Sequence, residues 1–245
     1  MKNLIKLFLQ NILGFNNYLF IFSIYKISTL KFDKNEGVFL NLLKLLSEDS
    51  VVLDIGANIG IMTVLLAKKC NKGKVFAFEP IEDNFNALQR VLKFFKIKNA
   101  IVEKIALGNK DQTVKMILPT KNFVKLQGLP HIITSVDSQE EGIKYDVLQK
   151  TLDSFWNNRE DKISAIKIDV ENYESEVFEG AISLLTKYKP IIYAELWNNA
   201  NRSRSFELLT KLGYKIMVFI EGSFVDFDQT KHIVDNFFFF PENRT

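Results

Sequence analysis

Val51-Val52-Leu53-Asp54-Ile55-Gly56-Ala57-Asn58-Ile59-Gly60 is the stretch that decides how this chain is read. Four apolar residues and one acid give a strand signal, and the chain then breaks into small residues where a helical pattern begins. A strand that passes into a helix through glycines makes a ligand-binding turn. Gly56 and Gly60 permit positive φ and close backbone approach, while the helix start offers free N–H groups and a positive dipole end to an anionic group. A nucleotide phosphate loop needs Gly-Lys-Ser/Thr after its glycines, and no lysine stands in this turn. A dinucleotide fingerprint needs glycines where Asn58 and Ile61 stand.

Outward from this turn, short apolar runs alternate with helical segments, the pattern of βαβ units in a largely parallel sheet with helices on both faces, an α/β fold. Strands are expected over residues 51–55, 74–78, 100–105, 113–118, 163–170 and 190–195. Helices are expected over residues 59–69, 83–95, 175–188 and 203–212, the second capped by Asp83 or Asn84. Residues 214–220, 223–227 and 237–240 follow as strands without intervening helices, so the sheet should end in an antiparallel edge. The run Phe237 to Phe240 reads as a strand buried on both faces. Residues 120–149 carry glycine, proline and polar residues with little periodicity, and read as an irregular lid or substrate loop.

The composition narrows the function. With 47% hydrophobic and 25% charged residues in 245, the chain has globular proportions, which excludes a disordered chain or a polytopic membrane protein. A net charge of +3 provides no phosphate-tracking surface, so nucleic acid is not an expected partner. Cys70 is the single cysteine; it allows no intramolecular disulfide, suits a reducing cytoplasm, and reads as inert packing. Residues 1–49 read as a helical lead-in to a domain over residues 50–245. The lead-in is basic at Lys2 and Lys6 and then apolar. Its longest apolar run, Tyr18 to Phe22, is followed by Ser23 and Lys26, well short of the ~20 apolar residues of a membrane span. Leu4, Phe8, Ile12 and Phe15 fall at helical spacing, as a packing or homodimer surface or, alternatively, a helix weakly associated with a membrane surface.

The turn does fit Asp-x-Gly-x-Gly-x-Gly, as Asp54, Gly56, Asn58 and Gly60 with asparagine for the middle glycine. It resembles motif I of class I S-adenosylmethionine methyltransferases. Phe76-Ala77-Phe78-Glu79-Pro80 ends the second strand in an acid, where a carboxylate can accept both hydroxyls of a ribose; the plainer reading is a solvated acid at a strand end. Ile166-Lys167-Ile168-Asp169-Val170-Glu171-Asn172-Tyr173-Glu174 sets further acids at the carboxyl end of a strand. These motifs, together with Ala106-Leu107-Gly108, Thr151-Leu152-Asp153 and Glu179-Gly180-Ala181 in this order, resemble the FkbM family of methyltransferases over residues 50–195. The sequence departs at Asn172, where the family commonly has glycine; asparagine also tolerates positive φ.

The resemblance implies a Rossmann-like class I methyltransferase fold, S-adenosylmethionine as methyl donor, and O-methylation of a hydroxyl on a sugar or secondary metabolite. By the same resemblance Asp54, Gly56, Ala57, Asn58 and Gly60 cradle the methionine portion. Glu79, with Pro80 beside it, holds the ribose, Ala106 and Leu107 lie near the adenine, and Asp169 and Glu171 face donor and acceptor. Methyl transfer from a sulfonium is an in-line displacement that needs alignment and removal of the acceptor's proton, and Asp169 or Glu171 can be that base. Acids two apart point to opposite faces of a continuing strand, but a turn after Val170 lets both line one pocket, where repulsion raises one pKa. Alternatively Glu171 is a helix-start acid favoured by the macrodipole.

A metal-assisted alternative draws on Asp169, Glu195 and Asn198 as oxygen ligands to magnesium. His131 reads as a base, a substrate contact or a surface histidine, and His232 as a loop residue. Trp197 can stack on a sugar ring or pack at a rim. The expected function is therefore an O-methyltransferase acting on a sugar hydroxyl of a glycan or glycosylated metabolite. The alternatives are an N-methyltransferase acting on an amine, or a module that binds the cofactor without turnover. Specificity is expected in residues 120–149 and 197–204.

Overall fold

The computed structural model describes residues 2–33, 36–121, 124–125, 130–132 and 141–242, with the backbone alone described for residues 2–5, 121 and 124. The elements in chain order are α1 (Lys2–Leu13), α2 (Phe15–Thr29), α3 (Leu40–Leu45), β1 (Val51–Ile55), α4 (Ile61–Lys69), β2 (Lys74–Phe78), α5 (Glu82–Phe94) and β3 (Ala100–Glu103). Next come β4 (Ala106–Leu107), β5 (Gln112–Lys121), β6 (Val124–Lys125), β7 (His131–Ile132), β8 (Gly142–Lys150), α6 (Leu152–Trp156) and β9 (Ile163–Ile168). The chain ends through α7 (Glu174–Glu179), α8 (Ile182–Tyr188), β10 (Ile191–Glu195), α9 (Ala200–Lys211), β11 (Tyr214–Ile220), β12 (Ser223–Asp226) and β13 (Asn236–Pro241).

The main sheet runs β12-β11-β13-β10-β9-β1-β2-β3. β1, β2, β3, β9 and β10 pair in parallel, and β13, β11 and β12 close that edge antiparallel. From β1 the chain builds outward first through β2 and β3, then returns to the other side of β1 with β9 and β10. The order therefore reverses between β1 and β9, and the crevice at their carboxyl ends is the place where an open α/β sheet takes its ligand. The antiparallel edge expected from sequence is present, and the Phe237 to Phe240 run explains its stability. Phe237 and Phe239 are fully buried in the core on one face, while Phe238 is buried on the other beside Tyr193 and Phe39.

Three expectations are corrected. Residues 142–150 are not irregular: they form β8, which pairs antiparallel with β5 and parallel with β4 in a second, smaller sheet. Tyr145, Val147 and Gln149 turn inward on alternate positions, but Leu148 is half exposed, so the period-2 signal is diluted. Residues 122–123, 126–129 and 133–140 of the expected lid lie outside the described residues. The helix expected over residues 175–188 is two helices, α7 and α8, parted at Gly180 and Ala181; glycine is required at 180, where a Cβ would meet the Gly108 carbonyl oxygen at 2.0 Å. The α5 N-cap is Ile81, without a side-chain cap, because Asn84 instead reaches Glu79.

Gly14, at φ 72°, separates α1 from α2. α2 buries Tyr18, Leu19 and Ser23, and the Ser23 hydroxyl lies 2.8 Å from the Leu19 carbonyl and 3.1 Å from that of Ile59. The second of these ties α2 to the glycine turn. On α1, Phe8 and Ile12 are exposed. No single helix among the described residues is long and apolar enough to cross a membrane.

Candidate active site

β1 and β9 lie in register, Ile55 beside Ile168, so the turns that follow them meet. Gly56 has φ 74°, and a Cβ there would sit 1.9 Å from the carbonyl oxygen of Asp169. Glycine is thus what lets the first turn pass the second. Gly60 has φ 84° and no room beside Leu88, whose Cδ1 a Cβ would meet at 2.5 Å. β9 stops at Ile168, and Glu171 (φ 56°) and Asn172 (φ 69°) then reverse the chain in the left-handed region. Asparagine enters that region readily, and a residue such as glutamate at about 1–2 kcal/mol. Because of this reversal Asp169 and Glu171 stand on one corner rather than on opposite faces of a strand.

Beneath the corner lies a buried charge cluster. Lys167 donates to the Gly56 carbonyl at 2.9 Å and lies 3.4 Å from Asp54 Oδ1 and 3.9 Å from Asp169 Oδ2. Burial works against its positive charge, but Asp54 and Asp169 outweigh burial and raise its pKa. Asp54 is fully buried and accepts the Thr63 hydroxyl at 2.6 Å, so its carboxylate holds the turn from below. Lys167 carried no role in the sequence reading. Its signal is a lysine inside the strand Ile163–Ile168, apolar apart from it and Ser164, which must find a partner when buried.

Glu79 closes the turn from the other side. Its Oε2 accepts the Asn58 N–H at 2.9 Å, and its Oε1 accepts the Ile81 N–H at 2.8 Å and the Asn84 amide at 3.4 Å. Glu79 is therefore not a solvated acid: it is buried, and burial pushes its carboxyl up to about 7 despite these donors.

Two clefts open on the Asp169–Glu171 corner. One is walled by Glu79, Pro80, Ala106, Leu107, Met116 and Ile132; the other by Ala57, Ile59, Met62, Glu195 and residues of the N-terminal helices. Gly56, Asn58, Asp169 and Glu171 line both, so the corner is a partition with an opening on each side. Most of the residues expected from sequence gather at the first cleft, while Asp54 and Gly60 stand behind the turn and shape it.

Burial pushes the Glu171 carboxyl up to about 9, with Asp169, Glu195 and Glu174 adding repulsion. Burial also raises Glu195 to about 7, with Asp169 as the next cause. Glu174, which the sequence places among these acids without a role of its own, accepts the Val170 N–H at 3.0 Å and is likewise raised to about 7, chiefly by burial. At neutral pH Glu171 therefore carries a proton and presents an O–H donor at the partition.

The remaining candidates divide. Trp197 is 43% exposed, and its indole hydrogen-bonds Glu195, placing it at the rim. The Asn198 amide oxygen accepts from Arg202, and no group of three or more His, Cys, Asp or Glu residues among the described residues is placed to hold a metal ion. His131 sits in β7, paired with Ile117 of β5; its neighbours Pro130 and Ile132 line the first cleft and His131 does not. His232 accepts the Asp228 N–H at 3.1 Å, a loop role. Burial pushes the Cys70 thiol up to about 11, which leaves it unreactive.

Residues 54–238, most of the chain, match the methyltransferase FkbM domain. The chain belongs to the FkbM methyltransferase family. Methyltransferase 1 of Beauveria bassiana (strain ARSEF 2860) is 24% identical to it over 146 residues, 54% of this chain and 59% of that protein. The crystal structure of methyltransferase FkbM from Methylobacillus flagellatus KT superposes with a TM-score of 0.53 at 17% identity, covering 80% of this chain and 44% of that one. The chain thus spans less than two thirds of the length of either relative. The FkbM domain here has the class I methyltransferase sheet, with its crevice at the glycine turn.

Proposed function

We propose that this FkbM domain transfers a methyl group from S-adenosylmethionine to a hydroxyl oxygen, on a sugar of a glycan or glycosylated metabolite. The observation that carries this reading is the partition itself: two clefts reach Asp169 and Glu171 from different sides, as an in-line transfer between two molecules requires. The first cleft suits the donor. Asn58 keeps its Oδ1 buried and without a hydrogen-bond partner at the junction, an acceptor fitted to an amino group such as that of the methionine portion. The apolar walls at Ala106, Leu107, Met116 and Ile132 suit an adenine ring, and Glu79 keeps one acceptor position, on Oε2, for a ribose hydroxyl.

S-adenosylmethionine supplies an electrophilic methyl group on a sulfonium sulfur, which keeps the electron pair of the broken carbon–sulfur bond. The chain's own groups orient the acceptor and take its proton. Protonated Glu171 donates a hydrogen bond to the acceptor, and Asp169, held beside Lys167, receives the proton as the new oxygen–carbon bond forms. Two carboxyls on one corner with opposite tasks follow the general pattern of acid and base pairs separated by environment. The test is incubation with S-adenosylmethionine and neutral methyl glycosides, with the corresponding methyl aminoglycosides in parallel, read by mass spectrometry. A product heavier by one methylene unit together with S-adenosylhomocysteine is expected. Methylation confined to amines would replace the oxygen acceptor by nitrogen.

A further inference from the structure

The second cleft has walls that the family match does not reach. Phe22 and Lys26 come from α2, Lys6 from α1 and Glu36 from the turn after α2, all preceding residue 54 where the domain match begins. We propose that this N-terminal segment forms the acceptor subsite, and that Phe22, Lys26 and Glu36 select a neutral sugar ring there. The inference rests on the methyl transfer reading above and deepens it.

The placement is firm. Ser23 binds the glycine turn at the Ile59 carbonyl, and one helical turn further on Lys26 is held by Asp33 at 3.1 Å and Glu36 at 2.9 Å. An ammonium has three donors, and these two carboxylates take two of them, so a preset third donor remains for a ligand oxygen. The cleft then offers a donor at Lys26, acceptors at Glu36 and Glu195, and the partly buried ring of Phe22. Hydroxyl groups both donate and accept, and the C–H face of a pyranose covers an aromatic ring, so a polyhydroxylated ring uses all of these groups. Phosphorylated or carboxylated acceptors suit the cleft less well. Of its three lysines, Lys26 and Lys167 already lie beside two carboxylates each, so their charge is largely answered within the chain.

The segment that reads from sequence as a packing surface would then set specificity, a task the sequence reading gave to residues 120–149 and 197–204. The test is saturation-transfer NMR on the full chain loaded with S-adenosylhomocysteine, using methyl glucoside, methyl galactoside and methyl rhamnoside, with methyl glucuronate as the anionic comparison. Wild type should bind at least one neutral glycoside more tightly than the glucuronate. Lys26→Met and Glu36→Gln should each weaken that binding at least fivefold. Glu36→Gln leaves the Lys26–Asp33 pair in place, and both variants should keep wild-type affinity for S-adenosylhomocysteine, which certifies the fold. Neutral glycoside binding within twofold of wild type in either variant overturns the N-terminal subsite while the sugar reading stands. Preference for the glucuronate overturns the neutral ring. Absence of any glycoside signal in wild type removes the sugar reading and this inference with it.

Discussion

The Glu79 carboxylate accepts the backbone N–H of Asn58 at 2.9 Å, joining the acid at the end of β2 to the turn at the end of β1. A carboxylate expected from its spacing to touch a ligand is thus also a fastening of the turn that receives the ligand. Under the proposed donor site, ribose recognition and turn geometry would share one side chain, so losing it would remove a contact and the shape around it together.

Glu79→Ala should weaken S-adenosylhomocysteine binding by about 1.5–3 kcal/mol, on the order of 10- to 100-fold in dissociation constant, and should also lower the melting temperature, because two backbone N–H groups lose their acceptor. Because burial holds Glu79 near 7, wild-type affinity should rise as pH is raised through that value and the carboxylate form takes over. Glu79→Gln should abolish that rise. Calorimetry on both sides of neutrality checks each point, and an unchanged dissociation constant in Glu79→Ala would remove the residue from the donor site.

Lys167 is the cation that keeps Asp54 from being a lone buried charge. Lys167→Met should therefore destabilise the fold by roughly 3–5 kcal/mol, the usual cost of stranding one partner of a buried pair. For a chain of this size that is a fall of roughly 6–20 °C in melting temperature. Adding Asp54→Asn should recover part of the loss, since the stranded charge is then gone. Thermal scans of the three proteins decide it, and equal stability of wild type and Lys167→Met would show that the cluster does not bind the turn.

Burial, as the largest cause, raises the Glu171 carboxyl from its ordinary 4.5 to about 9. The folded state therefore keeps a proton that the unfolded chain releases, and between those two values each rise in pH favours unfolding. Glu79, Glu174 and Glu195 shift in the same direction. Wild-type melting temperature should fall from about pH 6 to about pH 8.5, the reverse of the usual behaviour of paired carboxylates. Glu171→Gln should flatten that slope and melt above wild type at the higher pH. A variant with the wild-type slope would mean that Glu171 is ionised and solvated in the folded protein.

Much of this was legible in the sequence because the deciding signals are local. The run from Val51 to Gly60 breaks from an apolar strand into glycines with positive φ, a signal that lies within ten residues, and Phe237 to Phe240 reads as a strand covered on both faces, as Phe237, Phe238 and Phe239 are. The parts that escaped depend on neighbours distant in sequence. Lys167 makes sense only once Asp54, more than a hundred positions earlier, is known to lie beside it. Glu174 is buried by its packing rather than by any pattern of its own. The second cleft escaped because α2 packs onto α4 and α5 across the family boundary, and no spacing within α2 records where Lys26 and Phe22 come to lie.

The last prediction separates a metal-free base from a metal-held acceptor. Asp169 stands on the partition, 3.9 Å from the Lys167 ammonium and open to both clefts. Asp169→Asn keeps its shape while removing the charge and most of the basicity, so turnover should fall ~100-fold to 10,000-fold while S-adenosylhomocysteine affinity stays within a few-fold of wild type. Under the same reading wild-type turnover is indifferent to a chelator. Magnesium held by Asp169, Glu195 and Asn198 would need the Asn198 amide oxygen to leave Arg202 and would leave a different signature: turnover lost in the chelator and restored by added magnesium. Chelator sensitivity with magnesium rescue would replace the base by a metal. Full activity in Asp169→Asn would exclude both roles and move proton removal to the remaining carboxyls of the cleft, of which Glu195, held near 7, is the best matched to that task.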